Sequence, residues 1–154
     1  MHYTPAFLFS MIIWILAGLV TVSAGGTNNM LEEFRWKNRP VIAFTPDANK
    51  ALLYEQNQIF QAESACIRER DMLLIEVVGS HVQMEGKRRP DLVADALRER
   101  FSVAPHETAF VLVGKDGRAK LRSDTPLSTD ILFGTIDAMP MRAREAREHH
   151  SVAC

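Results

Sequence analysis

The sequence predicts an α/β domain with a central mixed sheet and helices on both faces, preceded by a hydrophobic N-terminal segment. Three observations lead there. Short apolar strands alternate with segments of helical periodicity. One run, Ala109–Val113, is apolar throughout, as strands buried on both faces are. The Asp116-Gly117 pair that follows it marks an antiparallel hairpin. The length of 154 residues suits one domain.

The N-terminal segment comes first. Met1–Ala24 contains no Asp, Glu, Lys or Arg, and Phe7–Val22 is almost unbroken apolar sequence. It ends in Val22-Ser23-Ala24, the small-residue pattern of a signal peptide cut after Ala24. The competing reading is an uncleaved anchor, because Ala6–Ala24 is just long enough to cross a bilayer. Either reading exports the remainder. Residues 25–30 then read as a polar linker, 31–142 as the folded domain and 143–154 as a charged flexible tail.

Leu31–Trp36 reads as one helical turn, with Leu31 and Phe34 on one side. Val41–Phe44 is a short strand stopped by Thr45-Pro46-Asp47. Ala51–Arg70 reads as one helix, with Leu52, Ile59 and Cys66 and then Leu53, Phe60 and Ile67 at spacings of seven. Asp47 or Asn49 would cap it. Met72–Val78 is a second strand, interrupted by Glu76, and Gly79–Lys87 a polar loop. Pro90-Asp91 opens a second helix, with Leu92, Val93, Ala96, Leu97 and Phe101 on one face. Ala109–Val113 and Arg118–Arg122 form the hairpin. Ser128 or Thr129 caps a third helix, with Ile131, Leu132 and Ile136 inward. Right-handed crossovers would make the first three strands parallel to one another. This is the layout of a thioredoxin-like fold.

Several stretches also resemble one family. They are Phe34–Pro40, Glu69-Arg70-Asp71, Gly114–Gly117 with Lys120 and Arg122, and, most specifically, Ile136–Arg142. The family is the secreted DUDES-type domain of unknown function. It occurs alone in exported bacterial proteins and within vertebrate matrix proteins of the sushi-repeat-containing and coiled-coil-domain-containing kinds. The resemblance spans about Leu31 to Arg147. It implies a thioredoxin- or peroxiredoxin-like fold and an exported location, and no settled reaction.

Composition excludes several functions. A net charge of −1 offers no basic face for nucleic acid. Two cysteines, Cys66 and Cys154, make no Cys-x-x-Cys and no disulfide framework. No Cys, His or carboxylate cluster has metal-ligand spacing, so no metal and no cofactor is expected. In thioredoxin-like proteins the reactive thiol sits at the start of the helix after the first strand, where free amides lower its pKa. Here that place is Thr45–Lys50, which has no cysteine.

The leading expectation is therefore a non-redox binding module of the periplasm or cell envelope. Its partner would be an envelope or extracellular protein or glycan, with contact to the membrane only through the N-terminal segment. Thr45, Asp47, Asn49, Lys50 and Glu76 form its candidate binding rim, with capping as the ordinary role of Asp47 and Asn49. For Glu76, a salt bridge to a helix Arg or Lys is the preferred alternative. Arg118, Lys120 and Arg122 form a candidate basic strip, or else protect a sheet edge. Cys66 is expected as a small buried hydrophobe. It is also the catalytic candidate if the protein is a divergent peroxiredoxin-like thiol reductase. A Cys66–Cys154 bridge is disfavoured, and a dimer through Cys154 is sterically easier. A membrane-anchored structural envelope protein is the third reading.

Overall fold

A computed structural model describes residues 30–46 and 50–148. The leader, the Ala24 cleavage site, most of the linker, Asp47, Asn49 and Cys154 lie outside the described residues. Among those described, no helix is long and apolar enough to cross a membrane.

A six-stranded mixed sheet organises the chain. Its strands are β1 (Arg39–Thr45), β2 (Met72–Val78), β3 (His81–Met84), β4 (Lys87–Arg88), β5 (Ala109–Val113) and β6 (Ala119–Ser123), in the order β4-β3-β2-β1-β5-β6. β1 and β2 are parallel, from Arg39 opposite Met72 to Thr45 opposite Val78. Their crossover is α1 (Lys50–Ala62) and α2 (Ser64–Glu69). One continuous helix is expected there, but the chain breaks step at Glu63.

β5 corrects a second expectation, for it runs antiparallel to β1 and enters opposite Phe44. The right-handed rule governs a strand–helix–strand unit that returns to its starting end. Here the stretch read as a polar loop, Gly79–Lys87, holds β3 and the start of β4 and so adds a hairpin instead. The following helix α3 (Ala94–Phe101) has eight residues, about 12 Å at 1.5 Å each, against about 23 Å for a seven-residue strand. It does not carry the chain back down the sheet, so β5 starts at the top.

Side-chain alternation divides the core. On one face Ile42, Phe44, Ile75 and Val77 meet Leu97 and Phe101 of α3, with Leu31 and Phe34 of the short 3-10 turn Glu32–Phe34. On the other, Val41, Ala43, Leu74, Phe110 and Leu112 meet Leu53 and Phe60 of α1, Ile67 of α2, and Leu132 and Ile136 of α4 (Thr129–Asp137). Ser128 caps α4 by accepting from the Ile131 amide, as expected. Val93 and Ile131, expected inward, are exposed. Val93 precedes the first turn of α3, because that helix begins at Ala94 rather than Pro90. Where a charged tail is expected from 143, the chain continues as α5 (Pro140–Glu148).

Candidate functional site

The predicted rim lies at the C-terminal ends of β1 and β2. Thr45 closes β1 and is fully buried; its carbonyl accepts from Gly79 and Arg98, and its hydroxyl has no partner among the described residues. Lys50 opens α1 and stands over a groove of about 360 Å3 lined also by Tyr54, Asn57, Val78, His81 and Gln83. Tyr54 is 66% exposed, a large aromatic left uncovered at the mouth. Asn57 is shared with a second groove of about 310 Å3, which runs on past Gln61, Ser64 and Arg68 and has Glu76 in its wall. The two form one trough between the α1–α2 crossover and the outer strands. The trough exists because α1 and α2 pack over β1 and β2 and leave β3 uncovered.

Glu76 holds the centre of this trough. It is buried, and it pairs with Gln83 across the β2–β3 ladder. Its Oε1 accepts from Asn57 Nδ2 at 2.9 Å and its Oε2 from Gln83 Nε2 at 2.5 Å. No described residue forms an ion pair with it, so the expected salt bridge to a helix cation is replaced by two neutral amides. A buried carboxyl group needs hydrogen-bond partners, and here two uncharged amides supply them. Beside it, Arg88 approaches His81 Nδ1 at 3.1 Å.

The opposite end of the sheet is built of charge. Arg39, 1% exposed at the start of β1, donates from Nη2 to both oxygens of Glu145 at 3.2 and 3.0 Å and from Nη1 to the Arg70 carbonyl at 3.0 Å. Lys115 Nζ joins Asp71 at 2.7 Å and Glu145 at 2.8 Å. Arg70 pairs with Asp137 at 2.7 Å while lying over the Phe133 ring. Arg142 reaches Glu69 and Asp137. Four cations thus face four carboxylates, and the lattice ties α5 and the end of α4 to the floor of the sheet. Burial raises the Glu145 carboxyl, but the Lys115 hydrogen bond and the Arg39 charge outweigh it and leave it below the usual range. Asp137 is likewise lowered against its burial, by Arg70 and Arg142. Burial pulls Arg142 down, and Glu69 and Asp137 more than reverse that.

This lattice draws residues from each of the stretches on which the resemblance rests: Arg39, Glu69-Arg70-Asp71, Lys115, and Asp137 with Arg142. A family profile described as "Domain of unknown function (DUF4174)" matches residues 30–145. The chain belongs to the DUF4174 family. Among curated relatives, this DUF4174 domain is 26% identical over 136 residues to "Coiled-coil domain-containing protein 80" of Danio rerio, covering 76% of this chain and 16% of that protein. It is 29% identical over 120 residues to "Sushi repeat-containing protein SRPX" of Rattus norvegicus, covering 75% and 26% respectively. The Homo sapiens SRPX protein gives the same identity and coverage. The chain therefore spans about a quarter or less of the length of these proteins. No solved structure matches.

Cys66 differs from expectation. It lies half-buried on α2 and is disulfide-bonded, not a free buried thiol, and the one other cysteine in the sequence is Cys154. The spacing of seven placed Cys66 on the Leu52–Ile59 stripe, which is itself half-buried, whereas Leu53, Phe60 and Ile67 form the inner one.

The predicted basic strip is also broken. In the register of β5 with β6, Leu112 faces Leu121 and Val113 faces Ala119, leaving Lys120 as an extra, bulged residue. A bulge shifts the side-chain alternation. Lys120 consequently turns toward Asp116, at 2.6 Å, while Arg122 turns to the Phe101 carbonyl at 2.6 Å and to Glu107 at 2.5 Å. Arg118 precedes the strand and is exposed.

Sequence reasoning missed Gln56, Arg98 and Glu145. Gln56 is fully buried and binds Leu127 at both its amide (2.7 Å) and carbonyl (3.2 Å). A polar residue midway between Leu53 and Phe60 was the available signal. Arg98 is buried over the Phe44 ring and donates to the carbonyls of Ala104 and Thr45; burial lowers its pKa.

Proposed function

We propose that this domain is an exported, thioredoxin-like binding module without redox chemistry. It works in the periplasm or cell envelope, or on the outside of the cell. The trough, which runs from the C-terminal end of β1 along β2 as far as Met72, is its binding site. The observation that carries this is Glu76, a buried acidic side chain in the trough wall whose partners among the described residues are two neutral amides and no cation.

Around it, Tyr54 offers an aromatic face, and Asn57 and Gln83 offer amides. These groups suit a polar segment of an envelope or extracellular protein, or a glycan, that presents hydrogen-bond donors. The crossover of β1 and β2 through α1–α2, with β5 and β6 closing the far edge, supports the thioredoxin-like reading. The absence of a cysteine from Thr45–Lys50 and the bonded state of Cys66 support the non-redox one.

Affinity capture from the envelope fraction tests it with paired baits. Wild type retains a partner that Tyr54→Asp loses, while the variant, altered only at an exposed side chain, keeps its melting temperature. Equal retention by both baits would remove the trough from the account.

A further inference from the structure

The chemistry of the trough narrows what it can hold. Lys50, Tyr54, Asn57 and Gln61 recur at intervals of four, three and four residues, which sets them on one face of α1. All four line the trough, and Ser64 and Arg68 extend the row along α2. From Lys50 to Gln61 the row is about 17 Å long at about 1.5 Å per residue. Beneath it the floor is apolar, from Leu53, Val78 and Phe60, while Tyr54 stands 66% exposed at the mouth.

The bonds already made decide which polar groups remain. Asn57 spends both N–H groups of its amide, on the Leu53 carbonyl at 3.2 Å and on Glu76 at 2.9 Å. Gln83 spends one, also on Glu76. The amide oxygens of Asn57 and Gln83 have no partner among the described residues, and neither is sealed from solvent. Glu76 thus anchors two amides by their nitrogens and leaves two oxygens to accept from a ligand.

Charge of both signs lines the row. A cationic ligand would meet Lys50 and Arg68, and an anionic one Glu76 and Glu85. An extended peptide would need a free strand edge, and none lies here. β3 is bonded to β2 on one side, and on the other Gln83 pairs with Arg88 while the Val82 carbonyl accepts from Arg89 at 2.9 Å.

We propose that the trough binds an uncharged oligosaccharide, with the C–H face of one sugar ring on Tyr54 and hydroxyls on the Asn57 and Gln83 oxygens. This rests on the reading of the trough as the binding site and names its ligand class. A hydroxyl both donates and accepts, so it serves the two amide oxygens and also Lys50 and Ser64 along the row. An apolar floor with a few placed polar groups suits a ring that has a C–H face and a hydroxyl rim.

The test is titration of the full chain with cellohexaose, maltohexaose and chitohexaose, read by calorimetry and by backbone and side-chain amide chemical shifts. A chitosan hexamer and sulfated cellohexaose serve as charged controls. The expected result is saturable binding of at least one neutral oligomer, with shifts at Tyr54, Asn57 and Gln83, and weaker binding of both controls. Tyr54→Ala should weaken it about three- to tenfold, the scale of one aromatic contact, and Tyr54→Trp should restore it, both at unchanged melting temperature. Failure of all three neutral oligomers to saturate overturns the proposal, as does wild-type affinity in Tyr54→Ala or tighter binding of a charged control. Affinity capture separates this from the underlying reading. Capture that depends on Tyr54 and is lost when periodate cleaves the vicinal diols of the envelope fraction supports the oligosaccharide. Tyr54-dependent capture that periodate spares and protease abolishes overturns it, while the trough stands as a site for a protein. Equal capture by wild type and Tyr54→Asp removes both.

Discussion

Replacing Glu145 by Gln should destabilise the domain by about 3 kcal/mol, the lower end of the range for breaking a buried ion pair. The carboxylate accepts two bonds from Arg39 and one from Lys115. Glutamine keeps the shape and one acceptor oxygen, but it turns an NH2 toward a guanidinium or an ammonium, donor against donor. Arg39 suffers most, because its side chain is 1% exposed and water cannot replace the lost partner. Glu145 itself is 19% exposed, which tempers the loss. For a domain of this size the melting temperature should fall by roughly 10 °C, taking about 3–4 °C per kcal/mol. Thermal and urea unfolding of the variant measure this, with Asp130→Asn, at an exposed position of α4, as the reference.

The pH dependence is a second check on the same residue. The folded-state pKa of Glu145 lies below the ordinary value, so its contribution is full above the unfolded pKa, near 4.3, and is lost as pH falls through the folded one. The stability difference between wild type and Glu145→Gln should therefore be constant at neutral pH and shrink in acid. A loss under about 1 kcal/mol, or a difference that grows in acid, would refute the lattice as a structural clamp.

Other predictions follow from single contacts. Gln56→Ala strips both the amide and the carbonyl of Leu127 of their partner inside the core, and should cost about 2–4 kcal/mol by urea unfolding. Cys66 should resist alkylation in the native, unreduced protein and become modifiable after reduction; rapid labelling without reductant would contradict its bonded state. Peroxide consumption should be no faster with wild type than with Cys66→Ser, and a clear excess would restore the thiol reductase reading.

Strand positions were legible in the sequence wherever apolar residues run unbroken. Met72–Val78 and Ala109–Val113 match β2 and β5 end to end, because burial leaves β5 wholly apolar and β2 apolar at every position but Glu76. The direction of β5 was not legible. It depends on the length of α3 and on a β3–β4 hairpin whose residues, His81 to Arg88, are polar apart from Val82, Met84 and the turn Gly86, because much of that edge of the sheet meets solvent. The rim was half legible: Thr45, Lys50 and Glu76 fall at one end of the sheet, but the Asn57 and Gln83 amides that define Glu76's chemistry come from residues with no local signal. The lattice was legible only as scattered charges. Arg39 and Glu145 are 106 positions apart, and nothing in local pattern announces that such residues meet. The interrupted alternation of the basic strip was not legible for a one-residue reason, since a bulge at Lys120 is invisible to a period-two reading.

The most direct test of the binding account is site-specific photocrosslinking in intact cells, with a photoreactive phenylalanine at position 54 and, in a second strain, at position 131. Both sites are exposed, and they lie on different helices, α1 and α4. The account predicts a discrete adduct from position 54 that weakens when Glu76→Gln is added, and none from position 131. Equal labelling from both positions, or an adduct at 54 indifferent to Glu76, would contradict it.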